Sequence, residues 1–76
     1  MKVYVVMCGE QYEGGAVDSV HATVDGARTA WRKLVDDLTE RWSPIAEGDE
    51  YKVDETELYA LIGCDFVSVE EYEVQP

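Results

Sequence analysis

The sequence predicts an α+β fold: a small antiparallel sheet with one amphipathic helix packed on one face, in the order ββαββ. Three observations lead there. Residues Lys2 to Cys8 are rich in β-branched and aromatic side chains at both alternating positions, the pattern of a strand that is central in its sheet or covered on both sides. Between Val24 and Trp42 the apolar spacing changes to three and four, and Ala27, Trp31, Leu34, Val35, Leu38 and Trp42 fall on one stripe. From Glu57 to Val74 the chain reads as a hairpin around Gly63-Cys64.

In chain order, the first strand ends at Gly9. Glu10-Gln11-Tyr12-Glu13-Gly14-Gly15 forms a loop, the tip of a hairpin, because paired glycines supply the positive φ that turns require. A second strand runs from Ala16 to Thr23, and the three-residue step between Val17 and Val20 predicts a bulge. Thr23 or Asp25 caps the helix, and Ser43-Pro44 ends it, since proline disfavours the α conformation in the residue before it. The early cations Arg28, Arg32 and Lys33 and the late acids Asp36, Asp37 and Glu40 oppose the macrodipole. The i,i+4 pairs Arg32/Asp36, Lys33/Asp37 and Asp37/Arg41 offset part of that. Ile45 to Asp54 has no apolar period and reads as a solvated loop. The hairpin strands are Leu58–Ile62 and Phe66–Val69, the second continuing to Val74 with Glu71 and Glu73 on one face and Tyr72 and Val74 on the other. A short helix from Asp54 to Leu61 is the rival reading of the first strand.

Seventy-six residues accommodate one domain over 1–76. An apolar fraction of 46 % is enough for a core and argues against a disordered acidic tail. No run approaches the roughly 18–20 apolar residues of a membrane span, and the opening run is too short for a signal peptide, so a cytoplasmic protein is expected. Cys8 and Cys64 are expected as free thiols, with one disulfide as the alternative.

The net charge is −11. Residues 1–24 contribute −2, residues 25–42 contribute 0, and residues 43–76, with ten acids against Lys52, contribute −9. Such a field disfavours nucleic acid and anionic membranes and favours a basic protein surface.

The pattern resembles a family of small proteins of unassigned activity common in bacteriophage and bacterial genomes. The resemblance is carried by Lys2-Val3-Tyr4-Val5-Val6, the loop Tyr12-Glu13-Gly14-Gly15, the alanine-bearing helix and the acidic strand Val69-Glu70-Glu71-Tyr72-Glu73-Val74, and covers residues 1–42 and 65–74. It implies a strand-strand-helix-strand core and a phage or mobile-element setting, hence the host cytoplasm, and it carries no activity. The segment from Ser43 to Cys64 is longer than that family suggests.

Catalytic chemistry finds little material. His21 is the single histidine, and its neighbours Val20 and Ala22 direct it to the more polar face of its strand, as a surface residue. Cys8, His21 and Cys64 match no CxxC or HExxH spacing, and Glu47-Gly48-Asp49-Glu50 lacks the order of a calcium loop. Neither a metal nor a cofactor is implied. The glycines of the first loop lack the flanking residues of a phosphate-binding motif. Tyr12 at that tip is a candidate contact residue, with Glu13 beside it.

The acids carry the sharper expectation. Residues two apart on a strand lie ~6.5–7 Å apart on one face, so Glu71 and Glu73 match the step between backbone phosphates, and Glu57 on a partner strand widens the array. Sequence therefore points to a non-enzymatic acidic binder that occludes a basic, nucleic-acid-binding surface on a partner protein. Its candidate contacts are Tyr12, Glu13, Asp49, Glu50, Asp54, Glu55, Glu57, Glu70, Glu71 and Glu73. DNA mimics of this size and charge, including anti-CRISPR and anti-restriction proteins of phages, supply the analogy. The alternative is a housekeeping or self-associating module, monomer or homodimer, whose acidity serves solubility or high-salt adaptation.

Overall fold

The computed structural model describes residues 1–10, 13–43 and 48–75. Its elements are β1 (Lys2–Glu10), β2 (Gly14–His21), α1 (Val24–Arg41), β3 (Tyr51–Asp54), β4 (Tyr59–Ile62) and β5 (Asp65–Glu73). The strands form one five-stranded sheet in the order β2-β1-β5-β4-β3, with every pairing antiparallel. The fold is thus the expected α+β sheet with one helix, but the order is ββαβββ. Tyr51–Asp54, expected as loop, is a strand paired along β4 from Tyr51 opposite Ile62 to Asp54 opposite Tyr59. Four residues are too few to display a period, and exposed Tyr51 and Lys52 disguise the strand further.

The ladder between β1 and β5 runs unbroken from Lys2 opposite Glu73 to Glu10 opposite Asp65. β1 is therefore flanked by strands on both sides, as its composition requires. β2 begins at Gly14, two residues before the expected start. Its pairing shifts between Val6–Ser19 and Met7–Val17, leaving Asp18 as the extra residue of the anticipated bulge.

One face of the sheet packs against α1. Val6, Val67, Ala60 and Ile62 meet Ala27, Trp31, Val35 and Leu38, all of them buried. Leu34 and Trp42, the other members of the helical stripe, are partly buried against this cluster. Trp31 is completely enclosed and its Nε1 donates to the Val67 carbonyl at 3.1 Å. Burying about 200 Å² of indole contributes roughly 5 kcal/mol before entropy is counted, so Trp31 is the largest single anchor of helix to sheet.

Thr23 is the N-cap, with extended backbone and its Oγ1 accepting from the Gly26 amide at 3.1 Å, a contact worth about 1 kcal/mol. Asp25 in the first turn and Arg41 in the last suit the macrodipole. Of the three expected i,i+4 pairs, Arg32–Asp36 forms at 3.2 Å. Lys33/Asp37 and Asp37/Arg41 are not among the ion pairs of the described residues.

The helix ends against the second hairpin. Trp42 lies on Gly63, so close that a Cβ there would stand 2.5 Å from the indole ring, and its Nε1 donates to Asp65 Oδ2 at 3.0 Å. Gly63 has φ +62 and begins the two-residue turn expected between β4 and β5. Residues 55–58 are turn, neither the rival helix nor the start of the strand, and Leu58 itself has φ +51. No helix among the described residues is long and apolar enough to cross a membrane.

Candidate acidic interaction surface

β5 is longer than β4. Beyond Val69, whose amide donates to the Leu58 carbonyl at 3.0 Å, β5 pairs with β1 alone. Glu70, Glu71 and Glu73 occupy this extension. Alternation along the strand sets Glu71 and Glu73, opposite Tyr4 and Lys2, on the side of the sheet that carries α1, and Glu70 and Tyr72 on the other. The turn of residues 55–58 leads into β4 beside Val69, so Glu55 and Glu57 flank the start of this extension at the middle of β5. Glu57 is therefore not on a partner strand, as sequence suggested, but in a turn next to it.

Local cations already meet several of these carboxylates. Lys2 Nζ lies 3.5 Å from Glu71, the Met1 amino group 3.4 Å from Glu73, and Arg32 joins Glu55 at 2.7 Å while holding Asp36 at 3.2 Å. The side chains of Glu55, Glu71 and Glu73 remain 69, 52 and 60 % exposed. Pairs this open are worth about 0–1 kcal/mol each, so an incoming guanidinium can displace the local cation at little cost.

Two contacts fix backbone or side-chain geometry. Asp54 Oδ1 accepts from the amides of Thr56 at 2.9 Å and Glu57 at 3.2 Å and from the Thr56 hydroxyl, closing the turn. The Thr56 hydroxyl first, then the Glu57 amide, hold the Asp54 carboxyl below the usual aspartate range. The Tyr72 hydroxyl donates to Glu70, and that carboxylate pushes the phenol above its ordinary range.

The remaining candidates lie elsewhere. Glu13, whose amide donates to the Glu10 carbonyl at 3.2 Å, is at the β1–β2 tip. Asp49 and Glu50 precede β3 at the same end, where the Gly63 amide donates to the Glu50 carbonyl at 2.8 Å. Eight strand steps of β5 separate the two ends, roughly 26 Å. The candidate acids are thus spread along the sheet rather than gathered in one array, with Asp54, Glu55 and Glu57 between the two ends. Tyr12 and Glu47 lie outside the described residues.

Sequence reasoning misplaced His21. It is half-buried on the α1 side, close to Gly26, with Nε2 2.7 Å from Ser19 Oγ. Its face is opposite that of Val20, as alternation predicts, but that face is the one α1 covers. Sequence also did not reveal the groove that the early helical cations share with nearby carboxylates. An open groove of about 640 Å³ along the flank of α1, beside the turn that carries Glu55, is lined by Arg28, Arg32 and Lys33 together with Asp36, Asp37 and Glu55. Spacing of four residues along the helix was the available signal.

Cys8 and Cys64 are both free, half-buried and exposed respectively. Burial first, then the Asp18 and Asp65 carboxylates, push the Cys8 thiol upward. Among the described residues no group of three or more His, Cys, Asp or Glu side chains is placed to hold a metal ion. Compared with known families, curated proteins and solved structures, the chain matches none.

Proposed function

We propose that this chain is a non-enzymatic acidic binder that covers a basic, nucleic-acid-binding surface on a partner protein. The observation that carries the reading is the row Glu70, Glu71 and Glu73 on the β5 extension, with Glu55 and Glu57 in the turn beside its start, in a molecule of net charge −11. Carboxylates two residues apart on a strand repeat at ~6.5–7 Å, the scale on which lysines and arginines of such a surface meet successive phosphates. The molecule is 48 Å long and 24 by 17 Å across, a span of about 14 base steps at 3.4 Å. The narrower form of the proposal is a DNA-mimic inhibitor, carried by a phage or mobile element against CRISPR or restriction systems.

Charge reversal tests it. Tagged protein is used to capture partners from bacterial lysate at low and moderate salt, and a captured nucleic-acid-binding protein is assayed for duplex binding with and without the chain. Glu71→Lys with Glu73→Lys should weaken capture at least tenfold and restore duplex binding, while circular dichroism stays unchanged. Capture and inhibition that are indifferent to the double reversal refute the proposal.

A second reading draws on the local ion pairs. Glu55, Glu71 and Glu73 are each matched by a cation of the same chain, which suits a surface whose acidity serves solubility or high salt. Stability that needs molar salt favours that reading, since screening relieves self-repulsion.

A further inference from the structure

The sheet has a second face that none of the described elements covers. Register and alternation set Val3, Val5 and Met7 of β1 beside Val17 and Val20 of β2 on this side, away from α1. Phe66 and Tyr72 of β5 and Leu61 of β4 continue the apolar layer. Neighbouring side chains close part of it, for Val5 and Leu61 are 9 and 8 % exposed, and the Phe66 ring lies over Gly15. Val17 and Val20, however, are each 57 % exposed and Tyr72 is 48 % exposed. β1 is thus written for burial on both sides and receives cover on one.

Charge is nearly excluded from this layer. Apart from Asp18 in the bulge, its strand positions hold two acids, Asp54 and Glu70, and one base, Lys52. Asp54 is engaged in its own turn, Glu70 accepts from Tyr72, and Lys52 stands 5.9 Å over the Tyr59 ring. A chain with 17 acids has kept nearly all of them off one face. A strongly basic partner would find little to pair with there, whereas a second nearly neutral, flat, apolar surface fits. The size also fits. Three strands of eight or nine residues and two of four give a projected area of about 500 Å² at ~4.8 Å per strand and ~3.3 Å per residue. Side-chain relief enlarges that figure, and a specific interface needs about 500 Å² or more from each partner.

We propose that this face packs against the same face of a second copy, two sheets about 10 Å apart forming a sandwich with the helices outside. The proposal does not depend on the acidic-binder reading: Glu71 and Glu73, the acids reversed in its test, lie on the α1 side and stay exposed in such a dimer, while Glu70 alone of the β5 acids lies on the packed face. Salt separates the two experimentally. Two bodies of charge −11 repel, so self-association strengthens as salt rises, while capture of a basic partner weakens.

Sedimentation of the purified chain from micromolar to millimolar concentration, at physiological and at about 1 M salt, is the test. The expected result is a monomer–dimer equilibrium tightened by salt. Val17→Glu with Val20→Glu, and separately Val17→Lys with Val20→Lys, should each weaken it about tenfold or more while circular dichroism is retained. The lysine pair lowers net charge, so its loss of dimer isolates the desolvation of the face from repulsion. Methyl NMR of the unmodified chain supplies a readout that needs no variant: on dilution, Val17, Val20 and Met7 should shift and Val35 should not. A monomer at every concentration and salt, a dimer untouched by both variant pairs, or dilution shifts confined to the α1 side overturns the proposal. A monomeric chain that instead binds an apolar segment of another protein on this face overturns it as well.

Discussion

Gly63→Ala probes the seat of the helix end on the second hairpin. The substitution has two separable effects. The backbone at φ +62 disfavours any L side chain by about 1–2 kcal/mol. The new methyl would also stand 2.5 Å from Trp42 Cδ2 and Cε2 and 2.7 Å from Cε3, well inside the ~3.5–4.0 Å optimum for carbon atoms. Relief requires the indole to move by about 1 Å, and its bond to Asp65 at 3.0 Å opposes that, adding about 1–3 kcal/mol. The sum is about 2–5 kcal/mol, against the roughly 4–11 kcal/mol expected for a chain of this length. Gly14→Ala is the control, since φ is +82 there and nothing lies within 4 Å of the added carbon, so about 1–2 kcal/mol from the backbone is expected alone. Urea unfolding followed by tryptophan fluorescence and circular dichroism measures both. A Gly63→Ala loss no larger than the Gly14→Ala loss, or full additivity of Gly63→Ala with Trp42→Ala, would refute the packing role assigned to Trp42.

Two further predictions concern titration. Cys8 is half-buried with a raised thiol pKa, so near pH 8 a disulfide reagent should modify exposed Cys64 first and Cys8 more slowly; equal rates would contradict the burial of Cys8. A group raised on folding contributes stability that is complete below its unfolded pKa, about 8.5 for cysteine, and lost as pH rises through the folded value, so Cys8→Ser should flatten the alkaline decline of stability. Asp54 has the opposite sign. Its folded pKa is lowered, so its contribution is present above about pH 3.9 and lost as pH falls through the folded value. Asp54→Asn should shrink the acid-limb loss in urea midpoint; an unchanged limb would show that the turn does not depend on the carboxylate.

Long periodic segments were legible in the sequence. The stripe from Ala27 to Trp42 identified the buried side of α1 because an 18-residue helix repeats its period several times. The Gly63-Cys64 turn was legible because a two-residue connection fixes register at both of its ends. β3 was not, since its four residues gain their pairing from β4 and declare nothing locally. The acids were legible as a surplus near the C-terminus but not in their spread along the sheet. Their separation depends on β5 running the length of the sheet, and Glu50 belongs with Asp65 rather than with Glu71 because of how β3 and β4 pair. His21 shows the same limit at the scale of one residue, where local alternation sets its face opposite that of Val20 but does not tell which face α1 covers.

The unbroken ladder between β1 and β5 sets the order in which the sheet can be completed. β5 joins the β2–β1 hairpin to the β4–β3 hairpin, so neither half has its neighbour until this late segment of the chain is present. Its pairing with Lys2 closes a loop of about seventy residues, and contacts of such sequence separation slow folding relative to a helical protein of equal size. During synthesis, the first hairpin and α1 therefore emerge well before the strand that unites them with the rest, and their apolar surfaces await it in the interval.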